Sequence, residues 1–258
     1  MTAAEKGQRL LRLLHRFPIE GFERSFKMAP GSLRDNRFLV GLASGDIGLP
    51  ELTGLCTELG MPRAYQVDFL RGLGRARAVH FGFEESESQG LYKAYIEFAV
   101  RAEASGSVLV HLAYKWNAES GEPCAIASYL WNPLEATNQW LSRVEAGYLA
   151  SGRSLSFEAL KAVVDLACLR CARPLMVLDV KEGSNSRDSF DVNLHPARLL
   201  LSDVEPVLEA MRIRYGIAEA AFRAAYESIA SCALGHLSAG LNREGMDFMT
   251  FYYDSSAD

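Results

Sequence analysis

Apolar and polar residues alternate one for one along much of the chain from Arg77 onward. That is the period of a strand with one dry and one wet face. The runs 77–85, 91–101, 107–117 and 124–132 are joined by Ser-, Gly-, Asn- and Glu-rich segments suited to hairpins. Further strands are predicted at 174–182, 187–195, 233–241 and 246–253, the last pair turning at Asn242-Arg243-Glu244-Gly245. Helical spacing marks 3–16, the stripe Leu52, Leu55, Cys56, Leu59 behind Pro50, and Pro62–Leu73. Between these, 17–48 has no clear period, although Arg37–Leu42 reads as extended. After the fourth strand, Asn132 before Pro133 predicts one helix start, and Phe157, Leu160, Val164, Ala167 and Cys171 form the stripe of a second helix. Two more helices are expected at 203–214, opened by a Ser202/Glu205 capping box, and at 217–231. The pattern predicts a single α+β domain over 1–258, with residues 1–75 a mainly helical lead-in and 76–258 a strand and helix body.

The alternation assigns faces. Val79, Phe81 and Phe83 oppose His80, Gly82 and Glu84; Tyr92, Ile96 and Phe98 oppose Lys93, Tyr95 and Glu97; Val108, Val110, Leu112 and Tyr114 oppose His111 and Lys115. Later, Met176, Leu178 and Val180 oppose Asp179 and Lys181; Phe190, Val192 and Leu194 oppose Asp191, Asn193 and His195; Met249, Phe251 and Tyr253 oppose Thr250 and Tyr252. The apolar face calls for covering helices. An ordinary half-exposed sheet gives the same alternation, but this polar face carries His80, His111, His195 and His236, four of the five histidines, beside Tyr95 and Tyr252. If the sheet is an antiparallel β-barrel or strongly curved, that face becomes a polar lumen.

Composition narrows the partners more than the fold. At 49% hydrophobic and 23% charged, the 258 residues can bury a large core. A net charge of −5 with no block of Lys or Arg argues against a nucleic acid or an anionic membrane as partner. The run Leu10, Leu11, Leu13, Leu14 is too short and interrupted for a signal segment. The five cysteines read as reduced thiols of a cytoplasmic protein, and Cys168-x-x-Cys171 lacks further zinc ligands nearby. There is no Walker loop, dinucleotide turn or nucleophile elbow.

In Val79–Phe98, VHFGFEESESQGLYKAYIEF, the chain resembles the hairpin of the αββα-barrel (ABBA) peptide prenyltransferases, and Lys93-Ala94-Tyr95 is similar to the K-x-Y strand motif of the indole enzymes. FMTFYYD, Phe248–Asp254, looks like their closing aromatic strand. The resemblance implies a ten-stranded barrel built from αββα units, whereas the pattern yields eight strands, four of them in succession; a missing pair would have to lie in 17–48. It also implies transfer of a prenyl group from an allylic diphosphate to an aromatic or peptide acceptor, with no Asp-rich magnesium motif and no cofactor. Lys93, Lys115, Lys181 and His195 are then candidates to hold the diphosphate. Tyr95, Tyr129 and Tyr252 would shield a carbocation through their π-faces. Glu84 and Glu97 would take the acceptor's proton. Each has a plainer reading: a sheet-face lysine paired with a carboxylate, or a core aromatic. Two other functions fit the same face. Four histidines with Glu84, Asp179 and Asp191 could bind a metal in a metal-dependent enzyme, and a barrel without a poised base could simply bind a small molecule or peptide.

Overall fold

The computed structural model describes residues 1–43, 45, 47–85, 90–100, 106–150, 155–183 and 188–254. The 86–89 portion of the hairpin motif, Arg101 at the end of one predicted strand and Arg187 at the start of another lie outside them. In chain order the elements are α1 (Ala3–Leu14), β1 (Ile19–Ala29), β2 (Ser32–Arg34), β3 (Arg37–Ala43), α2 (Leu49–Glu58), α3 (Arg63–Gly72), β4 (Ala76–Glu85), β5 (Gly90–Phe98), β6 (Val108–Asn117) and β7 (Pro123–Trp131). There follow α4 (Thr137–Ala150), α5 (Leu155–Arg170), β8 (Val177–Lys181), β9 (Asp188–Asn193), α6 (Glu205–Arg214), α7 (Glu219–Tyr226), β10 (Leu234–Leu241) and β11 (Asp247–Asp254).

All sheet pairings are antiparallel, and each strand from β3 to β11 pairs with its neighbour in sequence. β1 then closes the ring, pairing with β3 along Ile19–Arg24 and with β11 along Glu23–Met28. The result is a closed ten-stranded barrel, with β2 folded back on the end of β1. Helices surround it. Residues 1–75 are therefore more than a helical lead-in: beside α1–α3 they supply two barrel strands. Their alternation is obscured because β1 opens on exposed residues and bulges at Gly21, and because β3 reads Phe38-Leu39-Val40, apolar toward both faces. The four successive strands β4–β7 remain, because residues 99–107 alone link β5 to β6.

Dry packing lies between barrel and helices. One apolar cluster joins α1–α3 to β3–β6; there Phe69 of α3 meets the rings of Phe81 and Tyr114 at 5.8 and 5.9 Å. The other joins α4–α7 to β1 and β9–β11, with Trp140 edge-on to Phe190 at 5.1 Å. Each such side chain contributes roughly 1.5–3 kcal/mol by leaving water. Two of the buried polar heads reach backbone acceptors: Trp116 Nε1 donates to the Leu59 carbonyl at 3.0 Å, and Tyr92 Oη to that of Lys6 at 3.1 Å. Gly82 is required where β3 crosses β4, since a Cβ there would stand 2.7 Å from the Phe38 carbonyl oxygen.

Two expected caps differ. Asn132 Oδ1 accepts from the Leu134 amide at 3.2 Å and so closes a turn ahead of α4, which begins only at Thr137. Ser202 and Glu205 do not form a box. Residues Leu201–Val204 make a 3-10 turn in which the Leu200 amide donates to Asp203 at 2.8 Å, and Arg170 clamps the same carboxylate with two 2.8 Å bonds.

Candidate active site in the barrel lumen

The inward positions follow from register. Lys93 lies across from Lys115 and Gly82, Tyr95 across from His80 and Ala113, and Glu97 across from His111. His111 lies across from Tyr129, Tyr129 from Val180, Asp191 from Ser238, and His236 from Tyr252. His80, Lys93, Tyr95, His111 and Lys115 thus share one face as expected, and the barrel turns that face inward. Strand β8 is the exception. Val180 packs in the lumen with Ala113, Ala127, Tyr95 and Tyr129. Lys181 and Asp179 are therefore outside: Lys181 is exposed, and Asp179 accepts from Arg143 of α4 at 3.1 Å. Lys181 cannot reach a ligand in the lumen. Its strand carries apolar residues at the inward positions because tyrosines surround them, so polarity alone misassigned the face.

Three layers divide the lumen. At one mouth a cavity of about 540 Å3 is lined by Lys27, Arg34, Arg37, Lys93, Lys115 and Arg243, with Glu84, Glu85 and Glu244 among them. Glu84 binds both Lys93 and Arg37, the latter at 3.0 Å. Burial opposes its ionisation, but Lys93, Arg37 and Lys115 outweigh it and hold Glu84 well below the usual carboxylate range. Arg37 is buried, and its Nε also donates to Ser25 Oγ at 3.3 Å. The buried Glu182 stands 3.9 Å from Lys115 and accepts from Arg243 Nε at 2.7 Å. Lys27 sits over the Phe248 ring at 4.5 Å. This is a cradle of converging cations in which the buried Glu182 and the half-buried Glu84 fix the long side chains.

Tyr95, Tyr129 and Tyr252 form the inner wall of that cavity. The Tyr95 and Tyr129 rings are 5.9 Å apart. Burial keeps the hydroxyls of Tyr95 and Tyr252 protonated far beyond the ordinary tyrosine range. Neutral phenols around an apolar strip of Ala113, Ala127 and Val180 can face a cation without supplying a nucleophilic oxygen.

Behind the tyrosines the chemistry changes. Glu97 lies four residues along β5 from Lys93, roughly 13 Å at strand rise. It pairs with His80 Nε2 at 3.0 Å and Arg77 at 3.1 Å, and the His80 bond, against burial, holds its carboxyl below the ordinary value. Burial pulls His111 down to about 4, so its ring is neutral. Across the barrel His236 Nδ1 bonds Asp191 Oδ1 at 2.8 Å; despite burial, Asp191 pushes His236 up to about 9. Glu23, inward on β1, is pushed up to about 7 by burial, against the pull of His236. His195 belongs to this layer and not to the cation cradle: it follows β9 in a 3-10 turn, exposed, 5.1 Å from the His236 ring and 3.7 Å from Asp254.

Sequence reading missed Lys27, Arg34, Arg37, Arg243, Glu182 and Glu23. The first three and Glu23 fall in 17–48, where no period was visible. Arg243 occupies a hairpin turn and Glu182 the residue after β8, where strand alternation gives no facing rule.

No family model matches the sequence, and no curated protein does. Solved structures do. A 5-dimethylallyltryptophan synthase from Streptomyces coelicolor matches with a TM-score of 0.61 at 14% identity over 92% of this chain and 81% of that one. A 6-dimethylallyltryptophan synthase from Micromonospora olivasterospora, solved with DMASPP and Trp, matches at 0.57 and 14% over 91% and 82%. AnaPT from Neosartorya fischeri matches at 0.53 and 11% over 90% and 78%. At these identities the likeness is one of fold, and it extends over nearly the whole chain: the closed ten-stranded barrel and its helical coat are the ABBA fold of the aromatic prenyltransferases.

Proposed function

We propose that the chain transfers a prenyl group from an allylic diphosphate to an electron-rich aromatic or peptide acceptor. The observation that carries this reading is the layering: a cradle of six cations opens directly onto three tyrosines inside a closed barrel. A diphosphate leaving group gains charge as the C–O bond breaks, and fixed ammonium and guanidinium donors favour that state over the ground state. Lys93, Lys115 and Arg37 are the donors deepest in the cradle, and Glu84 sets the positions of Lys93 and Arg37 rather than taking a proton, since three cations hold it ionised. The allyl cation left behind faces the Tyr95, Tyr129 and Tyr252 rings, which stabilise it and keep water from quenching it.

The proton lost by the acceptor needs a base poised near neutrality. Glu23 has that property, and it adjoins Tyr252 through the shared neighbour His236. Glu97 is tied to His80 and Arg77, so we assign it no proton transfer. The solved relatives' own ligands, DMASPP with Trp in one case, suit donor and acceptor of these classes.

Calorimetric titration with dimethylallyl thiodiphosphate and longer prenyl analogues tests the donor half. Transfer assays with tryptophan, cyclic dipeptides and tyrosine or tryptophan peptides test the acceptor half. The reading requires saturable donor binding; absence of binding to every analogue would leave the lumen a pocket for another ligand.

A further inference from the structure

From the arrangement of His80, Glu97 and His111 we infer that the inner end of the lumen holds a divalent first-row transition ion. A ring nitrogen of each histidine and a carboxylate oxygen of Glu97 lie within 4.8 Å of one another. They come from three adjacent strands, β4, β5 and β6, whose register fixes them together: Glu97 lies directly across from His111, and His80 across from Tyr95, two residues from Glu97. None of the three is exposed. His111 Nδ1 is buried with no hydrogen-bond partner among the described residues, an arrangement that costs free energy unless something else satisfies the ring. Two imidazoles and one carboxylate are the donor set favoured by Zn2+, Fe2+ and Co2+ rather than by Mg2+ or Ca2+. Arg77, 3.1 Å from Glu97, would remain as an outer partner orienting the carboxylate.

A second trio, Glu23, His195 and His236, also converges within 4.8 Å. It is the poorer site, because His195 is exposed and His236 already bonds Asp191 at 2.8 Å.

Three protein ligands leave a coordination position for solvent or a substrate atom. Here the neighbouring lumen residue is Tyr129, whose ring stands 5.8 Å from that of His111. An ion so placed would acidify a hydroxyl or thiol of the acceptor. That consequence rests on the prenyl-transfer reading; metal binding does not, so a zinc titration and a donor titration fail independently.

The test is calorimetric titration of the full chain, stripped with chelator, with ZnCl2, alongside CoCl2 followed in the visible. One Zn2+ per chain with a Kd of about 1 μM or below is expected, and visible cobalt bands of moderate intensity without a near-ultraviolet thiolate band. His111→Ala and Glu97→Gln should each weaken binding about 100-fold, with circular dichroism confirming their fold. No saturable binding at about 100 μM overturns the inference, as does an affinity unchanged in both variants, or one lost instead in His236→Ala. Should the variants not fold, a thiolate-to-cobalt band in the wild type decides against it by assigning the ion to cysteine.

Discussion

The two ends of the lumen use the same strands for opposite purposes. On β5, Lys93 belongs to the cation cradle and Glu97 to the histidine layer; on β6, Lys115 and His111 divide in the same way. At the mouth, charge is permanent: lysines and arginines outnumber carboxylates, and the carboxylates serve to hold them in place. At the inner end charge is negotiable, with Glu23 near 7, His236 near 9 and His111 near 4. The tyrosines separate the two. A barrel can therefore place an unchanging electrostatic field and a set of titratable groups in one cavity, with Lys93 of the cradle still favouring ionisation of Glu23.

The largest effect should come from the titratable end. Glu23→Gln is expected to cut turnover by about 10²–10⁴-fold with donor affinity intact; single-turnover assays beside calorimetry will show it. Equal loss of donor binding would mean the ends are not separable. Next, Lys93→Ala removes a charge-assisted contact worth roughly 1.5–3 kcal/mol and should weaken donor binding by about one to two powers of ten. Its melting temperature is the control, because Glu84 loses one of its cations.

The pH dependence sharpens the contrast. The wild type should show an acid limb in kcat/KM near pH 7, where Glu23 ionises, and Glu23→Gln should lack it. His236, Asp191, Asp254 and Lys93 act on this group electrostatically, and His195 lies beside it. The same shift acts on stability. Because the folded value of Glu23 lies above its ordinary one, its contribution is full in acid and lost as pH rises to about 7. Glu23→Gln should therefore melt higher than wild type at pH 8, with the difference narrowing towards pH 5. The smallest effect is expected of Lys181→Ala, which should shift donor affinity by less than about 1 kcal/mol. A loss matching that of Lys93→Ala would show that β8 presents its other face in solution.

The sequence was legible where one face of a strand is apolar and the other polar. That is so for β4, β5, β6, β9 and β11, whose faces follow from alternation alone. Alternation missed β1 entirely, read β3 as extended over Arg37–Leu42 but without faces, Leu39 pointing into the lumen, and reversed the faces of β8, where Val180 points inward. At β3 and β8 a barrel interior is apolar for reasons of its own, a demand absent from a sheet with one wet side. The K-x-Y triplet did mark two real lumen positions. Much of the cradle could not be read, because Lys27, Arg34, Arg37 and Arg243 converge only through closure and hairpin turns.

That closure also sets the order of events in biosynthesis. Met28 at one end of the pairing meets Met249, so β1 must wait for β11, made much later, before the ring exists. Until then β1 offers an unpaired edge bearing Phe26 and Met28, both of which end up fully covered. Such long-range pairing slows folding and exposes a sticky edge in the interim. The nascent chain should therefore depend on holdase chaperones until β11 emerges, and a circular permutant joining β11 to β1 by a short loop should shed that dependence.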